Sequence, residues 1–182
     1  MPNWCDNVAY FTASKEAIDR ICNADRKHLF GSFYPTPDDL QFDVQHGTDD
    51  PELLAKYHAN EQKHGAAHWY DWNCKHWGTK WDAKDVDVQR LDDTSVRLRF
   101  DTAWSPPTAW YEEMLTLGYN IRAVFVETGM SFCGKFSDDD CYTIDYDSCD
   151  EMPQEVLEEF PWLSENYADD AGNVVDNDAT TE

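Results

Sequence analysis

Val96, Leu98 and Phe100 alternate with Arg97, Arg99 and Asp101, and Val86 and Val88 alternate in the same way just upstream. An apolar/polar period of two marks a strand buried on one face. A one-residue slip would turn every apolar side chain to water, so the pattern specifies register as well as strand. Leu91-Asp-Asp-Thr94 between the two runs reads as a hairpin connection. The chain must therefore build an antiparallel sheet with one core-facing side.

Around this hairpin the period keeps changing. Residues 3–12 read as a strand that both faces could bury. Ser14 is a candidate N-cap, and Ala17, Ile18, Ile21 and Cys22 at helical spacing predict a helix over 15–23. Residues 29–34 (Leu-Phe-Gly-Ser-Phe-Tyr) read as a second strand, ended by Pro35-Thr-Pro37. Asp50-Pro51 starts a helix with Leu53, Leu54 and Tyr57 on its apolar side. Pro106-Pro107 opens another, carrying Trp110, Met114 and Leu117, and Gly118 stops it. Residues 121–127, 132–136 and 141–146 read as strands, the last two joined by Ser137-Asp-Asp-Asp140, and 153–160 as a last helix.

With an insertion at about 38–85 set aside, between strands two and three, this order is βαββαβ. The expectation is an α+β, ferredoxin-like antiparallel sheet with helices on one face. The core domain is placed at 1–136, an acidic extension with hairpin and helix at 137–167, and a polar acidic tail, expected to be disordered, at 168–182.

Charge divides the chain unevenly. The formal net charge is −23, and no Lys or Arg follows Asp138. Such a field repels nucleic acid and anionic lipid and attracts basic protein surfaces. The start Met1-Pro-Asn-Trp-Cys-Asp lacks the features of a signal peptide, and no apolar run has the length of a membrane span. A cytoplasmic protein with its six cysteines as free thiols is expected.

The stretch His68-Trp-Tyr-Asp-Trp-Asn-Cys-Lys-His-Trp-Gly-Thr-Lys-Trp-Asp82 holds four of the eight tryptophans. An indole is large and seeks a partner for its N–H. The stretch is either a tightly packed loop, turning near Gly78, or a recognition surface.

Three segments carry a family resemblance. Met1-Pro-Asn-Trp-Cys-Asp-Asn7, Trp77-Gly-Thr-Lys-Trp-Asp82 and Phe100-Asp-Thr-Ala-Trp-Ser-Pro-Pro107 resemble, in order, motifs of the YubB-like ferredoxin-fold proteins of bacterial plasmids and phages. Glu127-Thr-Gly129 and Phe132-Cys-Gly134 are similar to that family's later strands. The resemblance implies a ferredoxin-like domain and a mobile-element origin, without an assigned reaction. The acidic C-terminal extension and the His-rich segment 60–68 lie outside the shared motifs.

Candidate sites follow from these features. Trp72, Trp77, Lys80, Trp81, Trp104 and Glu127 could form a pocket in which Lys80 meets a carboxylate or phosphate. The competing reading makes these rings a second core layer, with Lys80 paired to Asp82 or Glu127; either way Trp77, Trp81 and Trp104 are expected to be mostly buried and close together. His64, His68, Cys74 and His76 are zinc-ligand types, but their spacing fits no common module, and no metal or cofactor is expected. There is no GxSxG, Walker loop or HExxH, and Cys5 has no His placed near it. Asp101 and Glu127 are a candidate carboxylate pair. No catalytic residues are assigned, and an enzyme ranks third.

The leading expectation rests on Asp138, Asp139, Asp140, Asp145, Asp147, Asp150, Glu151, Glu155, Glu158 and Glu159. Presented as a stripe, they would bind a basic host protein, such as a DNA-binding defence enzyme, by imitating duplex charge spacing. The second expectation is a small-ligand or anion-binding domain using the Trp/Lys80 pocket. Neither involves direct nucleic-acid or membrane binding.

Overall fold

The computed structural model describes residues 3–44 and 47–164. The tail expected over 168–182 lies outside the described residues. Six strands form one antiparallel sheet: β1 (Trp4–Thr12), β2 (Lys84–Arg90), β3 (Ser95–Ala103), β4 (Asn120–Glu127), β5 (Phe132–Ser137) and β6 (Cys141–Asp145). Their spatial order is β2-β3-β1-β4-β5-β6. Strands β4-β1-β3-β2 are the ferredoxin-like arrangement, and the β5–β6 hairpin extends it beyond β4. Strand β1 lies at the centre, with Asn7 opposite Phe100 on one side and Phe125 on the other.

Two helices cover one face. Helix α1 (Lys15–Cys22) is capped by Ser14, whose side chain accepts the Ala17 amide. It buries Ile18 and Ile21 against Phe11, Val96, Leu98 and Phe100. The later helix, Thr108–Thr116, buries Trp110, Tyr111 and Met114 in the same core. Each fully buried side chain of this size contributes about 1.5–3 kcal/mol.

The second strand is not at 29–34. Those residues fold as consecutive turns, in which Ser32 N donates to His28 O and Tyr34 N to Phe30 O, both at 2.8 Å. The Asp82 carboxylate accepts the amides of Phe30 and Gly31 at 2.8 and 3.0 Å. With these backbone groups satisfied locally, Leu29, Phe30 and Phe33 enter the core without a ladder. The hairpin strand β2 takes the second-strand place. The insertion therefore runs between α1 and β2, rather than between the second and third strands. It contains α2 (Pro51–His64), capped by Asp50, and α3 (Trp69–Trp77). In chain order Thr108–Thr116 is α4.

The opposite face of the sheet is not open. Helix α5 (Gln154–Glu159) and its flanks place Met152, Val156, Phe160 and Leu163 on Val8, Val124, Val126 and Cys133. The expectation of helices on one face thus holds for α1 and α4, while α5 seals much of the other. Gly134 allows close packing here, because a Cβ would lie 2.2 Å from Tyr142 O and 2.6 Å from Phe125 Cζ. Among the described residues no helix is long and apolar enough to cross a membrane.

Candidate functional site

The tryptophan stretch begins as helix α3. His68 caps it, its Nδ1 accepting the Asp71 amide at 3.4 Å. Trp69, Trp72, Asn73 and Trp77 fall on one side at i, i+3, i+4 and i+8, and the last three are buried. Trp77 donates its indole N–H to Tyr34 O at 2.9 Å, and Trp72 stacks on Tyr34 at 5.2 Å and His76 at 4.5 Å. Gly78 ends the helix in the left-handed region, φ +82°, with its amide on Cys74 O. A side chain there would meet the start of α4, since a Cβ would sit 3.1 Å from Thr108 N.

Beyond Gly78 the chain is tied to the end of β3. Thr79 donates to Ala103 O at 2.9 Å, Ser105 to Gly78 O at 2.7 Å, and Thr102 to Ser105 O at 2.7 Å. Trp104 N donates to Asn3 O at 3.0 Å, and buried Asn7 donates to Thr102 Oγ1 at 2.9 Å. The segments 3–7, 77–82 and 100–107 thus meet in one place. Asp82, fixed by the amides of Phe30, Gly31 and Ala83, anchors the far end. Burial raises its carboxyl above the ordinary carboxylate value, and the backbone donors act against that rise.

What this scaffold presents is a row of alternating rings and cations. Lys80 Nζ lies 3.9 Å from the Trp81 ring centroid and 5.9 Å from that of Trp104. Trp81 and Trp4 are 6.3 Å apart, and Lys84 Nζ sits 4.6 Å from the Trp4 ring. Trp81 and Trp104 are 42% and 47% exposed, and Tyr70 nearby is 38% exposed. The expectation that Trp77, Trp81 and Trp104 would all be buried therefore fails for two of them. The reason is geometric: Trp77 is on the inner side of α3, whereas Trp81 and Trp104 lie beyond the elements that could cover them. Trp104 also has φ +74°, a conformation costly for a residue with a Cβ.

Lys80 forms no ion pair with Asp82 or Glu127. Among the described residues its ammonium has no carboxylate within salt-bridge range, whereas Lys84 pairs with Asp85 at 3.4 Å. Lys80 stands between two concavities. A cleft of about 460 Å³ is lined by Trp69, Trp77 and Trp81 and also by His28, Gln41 and Asp43. A hollow of about 350 Å³ on the other side is lined by Tyr70, Cys74 and Trp104. The larger volume is in the range of small-molecule sites. Trp72 lines neither concavity.

Glu127 is not part of this site. It is 1% exposed, and its carboxylate accepts the amides of Gly129 and Met130 at 2.9 and 2.6 Å. Nor does it pair with Asp101. Asp101 lies opposite Asp6 in the β1–β3 ladder, while Glu127 lies opposite Cys5 on the other face. Asp101 is pushed up to about 6 by burial first, then by the Asp6 and Asp85 charges. Asp6 is also raised, by burial, against the pull of Arg99 at 3.6 Å. Cys5 is buried, and burial raises its thiol well above the ordinary value.

The zinc-ligand types have separate duties. His64 contacts Asp39 at 3.1 Å, His68 caps α3, His76 stacks on Trp72, and Cys74 is exposed on the outer side of α3.

The acids after Asp138 divide into two sets. Glu155 accepts from Tyr142 at 2.6 Å and pairs with Arg122 and Lys135 at 3.5 Å each. Glu159 accepts from Tyr10 at 2.7 Å and pairs with Arg97 at 3.3 Å. Asp138 accepts the Ile121 amide, Asp140 pairs with Lys135, and Glu151 accepts the Asp147 amide. Asp139, Asp145, Asp147, Asp150 and Glu158 form no ion pair among the described residues and are exposed. Eight of the ten are exposed, and only Glu155 and Glu159 turn partly inward.

Sequence reasoning placed Trp77, Lys80, Trp81 and Trp104 together but missed Trp4, Trp69, Tyr70, Lys84, Gln41 and Asp43. Trp69 was legible from its i, i+3, i+8 spacing with Trp72 and Trp77. The others arrive from distant segments and leave no local signal.

Residues 76–164 match a family model described as a ferredoxin-like domain in Api92-like protein. The match takes in β2 through α5, so five of the six strands and the sealing helix fall within it, while the central strand β1 and helix α1 precede it. The chain also resembles the crystal structure of a protein api92 from Yersinia pseudotuberculosis. That similarity has 11% identity and a TM-score of 0.48, and covers 81% of this chain and 99% of the other. A comparison with curated proteins finds no match.

Proposed function

We propose that this protein is a binding module whose recognition surface is the Lys80 row, and that it holds a small ligand through one anionic group set against indole rings. The observation that carries the reading is Lys80 itself, a cation without an acid partner among the described residues of a chain of net charge −23, flanked by two exposed tryptophans. Other cations of the chain also lack an acid partner among the described residues, but Lys80 is set between two exposed indoles at the mouth of a cleft. Holding it on indole faces keeps its donors free for a ligand oxygen. Benzoate, a flat monoanion, is a suitable probe in a ligand-observed NMR titration. Saturable binding that weakens about tenfold or more in Lys80→Met is expected. Equal binding by wild type and Lys80→Met removes the reading.

A second reading keeps the acidic surface. It is favoured by the absence of any Lys or Arg after Asp138, together with the outward placement of Asp139, Asp145, Asp147, Asp150 and Glu158. In it the protein, of plasmid or phage origin as the YubB-like motifs imply, binds a basic host protein and antagonises a nucleic-acid or defence enzyme in the bacterial cytoplasm. Such association is steered by charge and is lost as salt shortens the screening length from ~10 Å at 0.1 M to ~3 Å at 1 M. Capture of a DNA-binding enzyme from bacterial lysate that survives unchanged in the variant with those five acids neutralised would exclude it.

A further inference from the structure

The chemistry of the 460 Å³ cleft narrows what Lys80 would hold. Its walls are indoles, Trp69, Trp77 and Trp81, which favour a flat unsaturated ring. Most polar groups around it are already committed. The Asp82 carboxylate serves the amides of Phe30, Gly31 and Ala83. Asn73 Oδ1 accepts from Thr36 at 2.6 Å, and its amide donates to Lys80 O at 2.8 Å. Gln41 donates through Nε2 to Thr36 O at 3.2 Å, which leaves its Oε1 as an acceptor. Asp43 has no ion pair or hydrogen bond among the described residues and is exposed at the cleft. Among the described residues, what is left is one ammonium, Lys80, the His28 imidazole beside Asp82, and two acceptors, Asp43 and Gln41.

A ligand that complements this set has one anion, a planar body and an N–H on its ring edge. The field of a chain at −23 opposes multivalent anions, so a single negative charge fits better than a phosphate dianion. We propose that the cleft binds a monoanionic heteroaromatic carboxylate, with its ring against Trp81 and Trp77, its carboxylate on Lys80 and its ring N–H donated to Asp43. This inference rests on the anion-binding reading above and adds the ring and the donor to it.

Matched probes separate the two claims. Indole-3-acetate carries the ring, the carboxylate and the N–H; 1-naphthaleneacetate has the ring and the carboxylate but no N–H. Calorimetric titration of the full chain should show indole-3-acetate binding about tenfold or more tightly, the value of a hydrogen bond to a charged acceptor. In Asp43→Asn the two affinities should come within about twofold of each other, because the charged acceptor is gone. Lys80→Met should weaken both probes together. Equal affinities in the wild type overturn the donor assignment while leaving the anion site standing. Binding of benzoate but of neither larger acid overturns the ring assignment and again leaves the anion site. If none of the three acids binds, both claims fail.

Discussion

Helix α5 and the Lys80 row violate the usual placement of side chains in opposite directions. On α5, carboxylates turn inward: Glu155 and Glu159 lie over the sheet and gather Arg122, Lys135, Arg97, Tyr10 and Tyr142. At Lys80, indoles turn outward: Trp81 and Trp104 stand nearly half exposed. The inward acids have every oxygen answered, and removing them would unfix a helix of only six residues. The outward rings meet Lys80, and Trp81 meets Trp4, but each leaves nearly half of its surface to solvent. Half-buried charge with a full set of partners is architecture, while aromatic surface left open to solvent points to a ligand.

The largest expected effect tests whether the row has a buried root. Trp77→Ala should cost about 3–5 kcal/mol, as for other buried aromatics, whereas Trp81→Ala should change stability by less than about 1 kcal/mol. Denaturant unfolding of both variants measures this. Equal costs would mean that Trp81 belongs to the core and the contrast is wrong.

Next come the acids. Glu155→Gln and Glu159→Gln should each cost about 1–2 kcal/mol, because charge-assisted bonds to Tyr, Arg and Lys are weakened. Asn at Asp139, Asp145, Asp147 or Asp150 should stay within about 0.5 kcal/mol. Thermal unfolding across this series would break the division if the outer acids proved as costly as the inner ones.

Trp104→Gly offers a sharper test at the row itself. Glycine adopts φ +74° without strain, so folding stability should hold or rise by up to about 1 kcal/mol while benzoate binding falls. A loss of stability larger than that would make the Trp104 ring structural.

The smallest effect concerns pH. Asp101 titrates near 6 in the fold against an ordinary 3.8. A raised acid keeps its proton longer in the folded state, so its favourable contribution is complete below about 3.8 and is lost as pH rises through 6. Glu155 has the opposite sign: the Tyr142 hydrogen bond lowers it, so its contribution is present above the ordinary value and is lost on acidification. Melting temperature followed from pH 4 to 6.5 should show a decline that Asp101→Asn flattens. An unchanged slope in that variant would show that the Asp101 site is better hydrated than the geometry indicates.

Local pattern carried the elements well. The alternation at 86–88 and 96–100, the Ser14 and Asp50 caps, the Pro106-Pro107 start and the turn at Ser137 all recur in the fold, because each depends on neighbours within a few residues. Residues 29–34 misled, since Leu29, Phe30 and Phe33 suit a buried turn as well as a strand, and the Asp82 acceptor that decides it lies 51 and 52 residues away. Helix α3 was hidden because the rings of Tyr70 and His76 add to those of Trp69, Trp72 and Trp77 and blur the period.

The amino-acid order by itself determined an antiparallel sheet with two helices on one face, a charge gradient ending in unbalanced acid, and a tryptophan cluster around Lys80. These are properties of composition and of short periods. Only the tertiary structure decided which indoles would be covered, which acids would be used up inside, and that Trp4 and Lys84 would extend the row. Burial and pairing depend on what a distant segment brings to the other side of a side chain. Trp81 meets Trp4 across 77 positions and Glu159 meets Tyr10 across 149, separations over which no sequence period can act.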